Sequence, residues 1–225
     1  AAASTVGIGQ STLSKVHQVL QQQQISWREW WYSSAIALQS GLTAEQLAAR
    51  SEWQSERSAE TFTDWLAEHD LNVLTPDDSD YPDLLREIPD WPAILFCRGR
   101  LEATRPRVAV VGTRKMPGYG LFVTNDLVSG LVQYATSIIS GGMYGVDATA
   151  HQAALDAHGH TVVVLGHGHQ HSLNYQLAEM YERVVVQGGA VISEYPPWQT
   201  ARKGLFPARN RLVAGMSLGV VVAEA

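Results

Sequence analysis

The chain is poor in several things, and each shortage excludes something. It has one cysteine, Cys97, in 225 residues, so no internal disulfide can form. That favours a reducing compartment. No apolar run approaches the roughly 18 residues that a membrane helix needs. The opening AAASTVGIGQSTLSK has neither a basic start nor an apolar stretch, so it does not read as a secretory signal. G-x-x-x-x-G-K-[ST] is absent, which argues against ATP held in a P-loop. GTRKMPG is not G-x-G-x-x-G, because its second glycine is displaced, and GHGHQH opens as G-x-G but ends in histidine. Neither supports NAD binding. No cofactor is therefore expected.

Charge is scarce too, at 17%, and unevenly placed. Residues 1–97 hold five Lys/Arg against fourteen Asp/Glu, a balance of −9. Residues 98–225 hold eleven against eight, a balance of +3. Such asymmetry points to partners of one charge sign. Two basic groups stand out. One runs from Arg98 to Lys115 and includes Arg114. The other is RKGLFPARNR at 202–211, with Arg202, Lys203, Arg209 and Arg211 and no acid.

Residues 11–70 read as helical. Leu13, Val16 and Leu20 keep helical spacing, and Thr43 stands three residues before Gln46 as a capping box. Ser58 opens a further helix with Phe62, Trp65 and Leu66 on one face. Six of the seven tryptophans lie before residue 92, as a small helical core would need. Residues 75–92 are rich in Pro and Asp and read as a connection. Short apolar strands then alternate with helices: ILFCRG, RVAVVG, SIIS, TVVVLG, GAVIS and LGVVVAEA are the strands. This predicts an α/β fold with a parallel, doubly wound sheet. The expected organisation is a helical domain over 1–74, a connection and first strand over 75–106, and a Rossmann-like domain over 107–225. The last strand reads as buried, and the chain ends straight after it. The expectation is a sheet that continues beyond Ala225.

Ligands of such folds bind beyond the carboxyl ends of the strands. There lie GTRKMPGYG (112–120), SGGMYGVDATAH (140–151), GHGHQH (166–171) and SEYPP (193–197). Glycines let backbone amides approach an anion. Asp147 is placed to cap the helix that it opens, and His151 reads as a buried histidine on the same face. His167, His169 and His171, with His158 and His160 nearby, could in principle hold zinc, but no Cys or carboxylate has matching spacing. No metal is expected. Ser140 or Ser193 could be paired with His151, but no G-x-S-x-G elbow exists.

GTRKMPGYG, SGGMYGVDATAHQAAL, TVVVLGHG, SEYPP and FPARNRLVAGMS together resemble the DNA-processing protein A (DprA, or Smf) family, in order and in spacing. YPDLLREIPDWPAILFCRG is similar to its approach to the sheet. The resemblance covers about residues 80–225. It implies an extended Rossmann fold, here with a small SAM-like helical domain before it. It implies a non-enzymatic, cytoplasmic protein that binds single-stranded DNA and helps load the recombinase RecA in natural transformation, often as a dimer. The implied pocket comprises Gly112, Thr113, Arg114 and Lys115, then Ser140, Gly141, Gly142 and Gly145, then Lys203, Phe206, Arg209, Asn210 and Arg211. Tyr144 departs from the family, which has arginine there, and Gln170 and His171 replace its Tyr-Pro. Two other readings stand beside this one: a nucleotide-binding sensor using the same loops, and a phosphoribohydrolase with Glu194 as the nearby acid.

RKGLFPARNR would then lie as a loop over the sheet edge, its cations facing Arg114. Phe206 could stack on an unpaired base. Recognition by stacking and phosphate contact should be tolerant of sequence and sensitive to salt.

Overall fold

The computed structural model describes residues 7–56, 58–102 and 104–225. Five helices come first: α1 (Gln10–Gln23), α2 (Trp27–Tyr32), α3 (Ser34–Gln39), α4 (Ala44–Glu56) and α5 (Ala59–Glu68). Then follow β1 (Asn72–Leu74), α6 (Asp83–Arg86), β2 (Leu95–Gly99) and β3 (Arg107–Gly112). The alternating part continues with α7 (Gly118–Gln133), β4 (Ser137–Ser140), α8 (Val146–Asp156) and β5 (Thr161–Val164). It ends with α9 (Tyr175–Val186), β6 (Ala190–Ser193), α10 (Leu205–Gly215) and β7 (Gly219–Glu224). The fold is α/β.

The helical part owes its boundaries to local chemistry. Thr43 and Gln46 satisfy each other's backbone N–H reciprocally, at 3.2 and 3.0 Å. Ser58 Oγ accepts from Thr61 N at 2.9 Å and starts α5. Ser26 and Glu29 form another capping box, at α2. Trp30, Trp31 and Trp53 are buried with Leu13, Val16 and Leu20. The same core takes in Ala93 and Phe96, so helices and sheet share packing.

The sheet has the order β1-β2-β6-β5-β4-β3-β7. Strands β3 to β7 are parallel, whereas β1 and β2 are antiparallel additions at one edge. The expected parallel sheet is present from β3 to β7 and carries an antiparallel pair at one edge. The whole sheet begins earlier than expected, at Asn72, because β1 is too short and exposed to leave a pattern in the sequence. Helices α7, α8 and α9 pack on one face, against Val110, Ile138 and Val163. Helices α6 and α10 pack on the other, against Ala109, Ile139 and Val162. The chain thus runs outward from β3 to β6 and then returns to lay β7 beside β3. β7 lies at the edge of the described sheet, with Val220 and Val222 49% and 59% exposed. No described helix is long and apolar enough to cross a membrane.

Candidate nucleic-acid interface

Between β3 and β7 the winding direction reverses, and their carboxyl ends open a crevice. A cavity of about 340 Å³ lies there, lined by the loops after β3 and β4 and by the first turns of α10. Its polar lining comes from Arg114, Asp147, Arg209 and Asn210, and Phe206 adds an aromatic wall.

Arg114 is exposed at the rim, its guanidinium 5.8 Å from the centre of the Phe206 ring. Arg209 is different in kind. It is only 3% exposed, and Nη1 donates to Gly141 O at 2.8 Å and also to Val164 O. Burial lowers its pKa. The side chain ties α10 to the ends of β4 and β5 while its edge faces the cavity.

Gly141 makes this possible. A Cβ built there would lie closer than 3.0 Å to both Arg209 Nη2 and Asp147 Oδ2. Gly145 caps α8 at φ +80°, and a Cβ would strike the backbone of Thr113 and Arg114. That contact holds the two loops together, and Val146 N donates to Thr113 O at 3.2 Å. Gly112 closes on the other side, against the backbone of Glu224.

The remaining expected residues divide. Thr113 Oγ accepts from Lys115 N at 3.2 Å and shapes the turn. Lys115 is exposed beside the rim. Ser140 is fully buried, its hydroxyl donating to Val110 O at 2.6 Å. Gly142, at φ +68°, is buried under Tyr181, whose hydroxyl donates to its carbonyl. These two build the loop from beneath and do not line the cavity.

The second basic segment needs correction. It is not a loop before a helix: α10 starts at Leu205, so Pro207 and Arg209–Arg211 are helical. Proline is tolerated in the first turn, where its missing N–H has no helical partner to lose. Its four cations do not face Arg114 together. Lys203 and Arg202 are exposed outside the cavity lining. Arg211 points elsewhere, paired with Asp90 at 2.8 Å and with buried Glu194. Only Arg209 of the four lines the cavity.

Asp147 also departs from expectation. The cap of α8 is Gly145, and Asp147 Oδ2 accepts instead from Met143 N at 3.3 Å. The carboxyl faces the cavity, and burial pushes its pKa up against the opposing effect of Arg209. A short polar side chain after glycine reads as a cap in sequence, so nothing there betrayed this role. Glu194, the acid considered earlier, does not line the cavity. His151 is buried, with Nδ1 2.7 Å from Thr161 Oγ1. The Thr161 hydroxyl gives its proton to Ile138 O at 2.8 Å, so His151 carries its own on Nδ1.

The other loops form a neighbouring cleft of about 290 Å³. His169 Nε2 donates to Val191 O at 3.1 Å, and the His167 and His171 rings stand 4.5 Å apart. Tyr144 is outside the main cavity, where its hydroxyl accepts from Asn174.

A family model described as DNA recombination-mediator protein A matches residues 72–225. A Smf protein of Synechocystis is 41% identical over 157 residues, covering 68% of this chain and 39% of that one. A Smf protein of Escherichia coli is 34% identical over 193 residues, covering 85% and 51%. The chain spans between 39% and 53% of the length of the curated relatives it matches. The crystal structure of DNA processing protein A from Streptococcus pneumoniae superposes with a TM-score of 0.79 at 29% identity, covering 98% of this chain and 75% of that one. A second structure, of DNA processing protein A from Helicobacter pylori, gives 0.59 at 28% identity, with 68% of each chain covered. That structure is described as showing a single-stranded DNA binding mode.

Proposed function

This chain belongs to the DNA recombination-mediator protein A family, and from that premise we propose that it binds single-stranded DNA at the crevice between β3 and β7. The observation that carries the proposal is the meeting of Arg114, Arg209 and Phe206 around one cavity. Arginines and an aromatic face are what an unpaired strand asks for: planar donors for phosphate and a surface for a base. The single-stranded DNA binding described for the H. pylori relative supports the same reading. The acidic helical part does not oppose it. None of its carboxylates lines the cavity, and screening limits the reach of distant charges to roughly 8–10 Å.

The role is one of holding. Arg114 and Lys115 at the rim take the backbone, and Phe206 takes a base. Within the family's setting, the module presents the strand to RecA in the cytoplasm during natural transformation, as a dimer and without catalysing a reaction.

A salt titration of a labelled oligonucleotide tests this. Binding should weaken steeply with salt, and Arg114→Ala should flatten that dependence by about one counterion. No binding at low salt, or binding indifferent to Arg114→Ala and Phe206→Ala, would sink the reading. Free nucleotides in the same assay distinguish a small-nucleotide sensor, which the cavity's volume could also seat.

A further inference from the structure

A carboxylate is an odd lining for a site that takes phosphate. Asp147 nevertheless faces the cavity from the second position of α8, beside Gly141. Its one hydrogen bond to the protein backbone, from Met143 N, is long at 3.3 Å. Among the described residues no arginine stands within ion-pair distance of it: Arg209 is anchored through Nη1 to the Gly141 and Val164 carbonyls and acts on Asp147 only as a nearby charge. Burial therefore raises its pKa although two arginines oppose the shift. Beyond Met143 N and a contact with Ser140, its two oxygens keep acceptor sites turned towards the cavity.

A phosphate cannot supply what is missing, because like charges repel. A nucleobase edge can. Adenine and cytosine each offer a carboxylate one amino group flanked by a ring acceptor. Thymine offers one N–H between two carbonyls. Guanine alone offers two parallel donors, N1–H and the 2-amino group, on its Watson–Crick edge. In a single strand that edge is free to be read.

Resting on the single-stranded DNA reading above, we propose that Asp147 is a specificity-determining residue that accepts the Watson–Crick edge of a guanine seated in the cavity. Phosphates stay at the Arg114 rim, and the base enters beside Phe206. The site then holds any single strand but favours one with a guanine at this point, which departs from the sequence-tolerant binding expected at first.

The test uses thymidine oligonucleotides carrying single, well-separated guanosines, so that no guanine quartets form. Inosine, which lacks the 2-amino group, replaces guanosine in a second set, and 7-deazaguanosine, which lacks N7, in a third. The wild-type chain should bind the guanosine set at least about fivefold more tightly than the inosine set. The 7-deazaguanosine set should keep the preference. Asp147→Asn should bind the guanosine and inosine sets alike, with its melting transition recorded to show that it folds. Equal wild-type affinity for all three sets overturns the proposal while leaving DNA binding intact. A preference lost with 7-deazaguanosine also overturns it, since an arginine would then be reading the O6/N7 edge. Binding of none of them at low salt removes the underlying reading as well.

Discussion

The guanidinium of Arg114, on the loop after β3, stands 5.8 Å from the centre of the Phe206 ring on α10. The two residues are 92 positions apart in the chain and meet because β7 returns to β3. In the proposed binding mode their contact joins a cation for phosphate to a face for a base. The two should nevertheless separate in experiment. Phe206→Ala should cost single-strand affinity by about 1–3 kcal/mol, the usual worth of one stacked base, with little change in salt slope. Arg114→Ala should lower the salt slope by about one. The double variant should lose less than the sum, because each side chain orients the other. Anisotropy titrations at four salt concentrations read all three.

Gly145 should prove far less replaceable than Gly118. At Gly145 the backbone has φ +80°, and a Cβ would meet Thr113 O and the Arg114 backbone closer than 3.0 Å. Neither obstacle can swing away as a flexible side chain would. Gly145→Ala should lower stability by at least roughly 1–3 kcal/mol, from the strained dihedral alone. Gly118, in the first turn of α7, has nothing within 4 Å of such a Cβ. There Gly118→Ala should be neutral or slightly stabilising. Urea midpoints of the two variants make the comparison.

These contrasts also explain what the sequence disclosed. Strands such as RVAVVG and SIIS were legible because short, largely apolar runs ending at glycine match buried parallel strands, though the similar run GVVVAE forms the exposed strand β7. Thr43–Gln46 was legible because capping is a contact over three residues. The cluster of glycine loops at the carboxyl edge was legible from topology alone. What stayed hidden depends on long-range packing. Arg209 and Arg211 are two apart in the chain and identical in chemistry, yet one is buried against carbonyls and the other paired with Asp90 and Glu194. Their helical phase decides this, and the sequence suggested a loop. Asp147 was hidden because its neighbour in space, Arg209, is 62 residues away. Arg50, only 1% exposed and donating to Trp31 O at 3.2 Å, gave no sign at all of being core.

Cys97 offers a probe of folding. It is 2% exposed in β2, and burial pushes its thiol up to about 12. The reactive species is the thiolate, so the native thiol should resist alkylation at pH 8. Modification by iodoacetamide should track global unfolding, rising in urea along the same curve as the tryptophan signal. Rapid labelling of the native chain would show that β2 opens by itself.

His151 should give the chain an acid sensitivity of predictable sign. In an unfolded chain its imidazole titrates near 6.5, whereas burial under the α8 face draws it down to about 3 in the fold. Between those values the unfolded chain binds a proton that the native one refuses, so protonation favours unfolding. The stability is whole above about pH 6.5 and is lost as the pH falls towards 3. His169, drawn down to about 4, acts with the same sign. Asp147 and Glu194, both raised by burial, act with the opposite sign and mask part of the slope. A variant isolates the histidine. His151→Asn can keep a donor towards Thr161 Oγ1 but cannot titrate. Wild type should lose about 2 kcal/mol more than this variant between pH 7 and pH 5, the work of excluding one proton over that range. Denaturant unfolding at both pH values measures it. Equal losses in the two proteins would mean that the native fold admits the proton at His151.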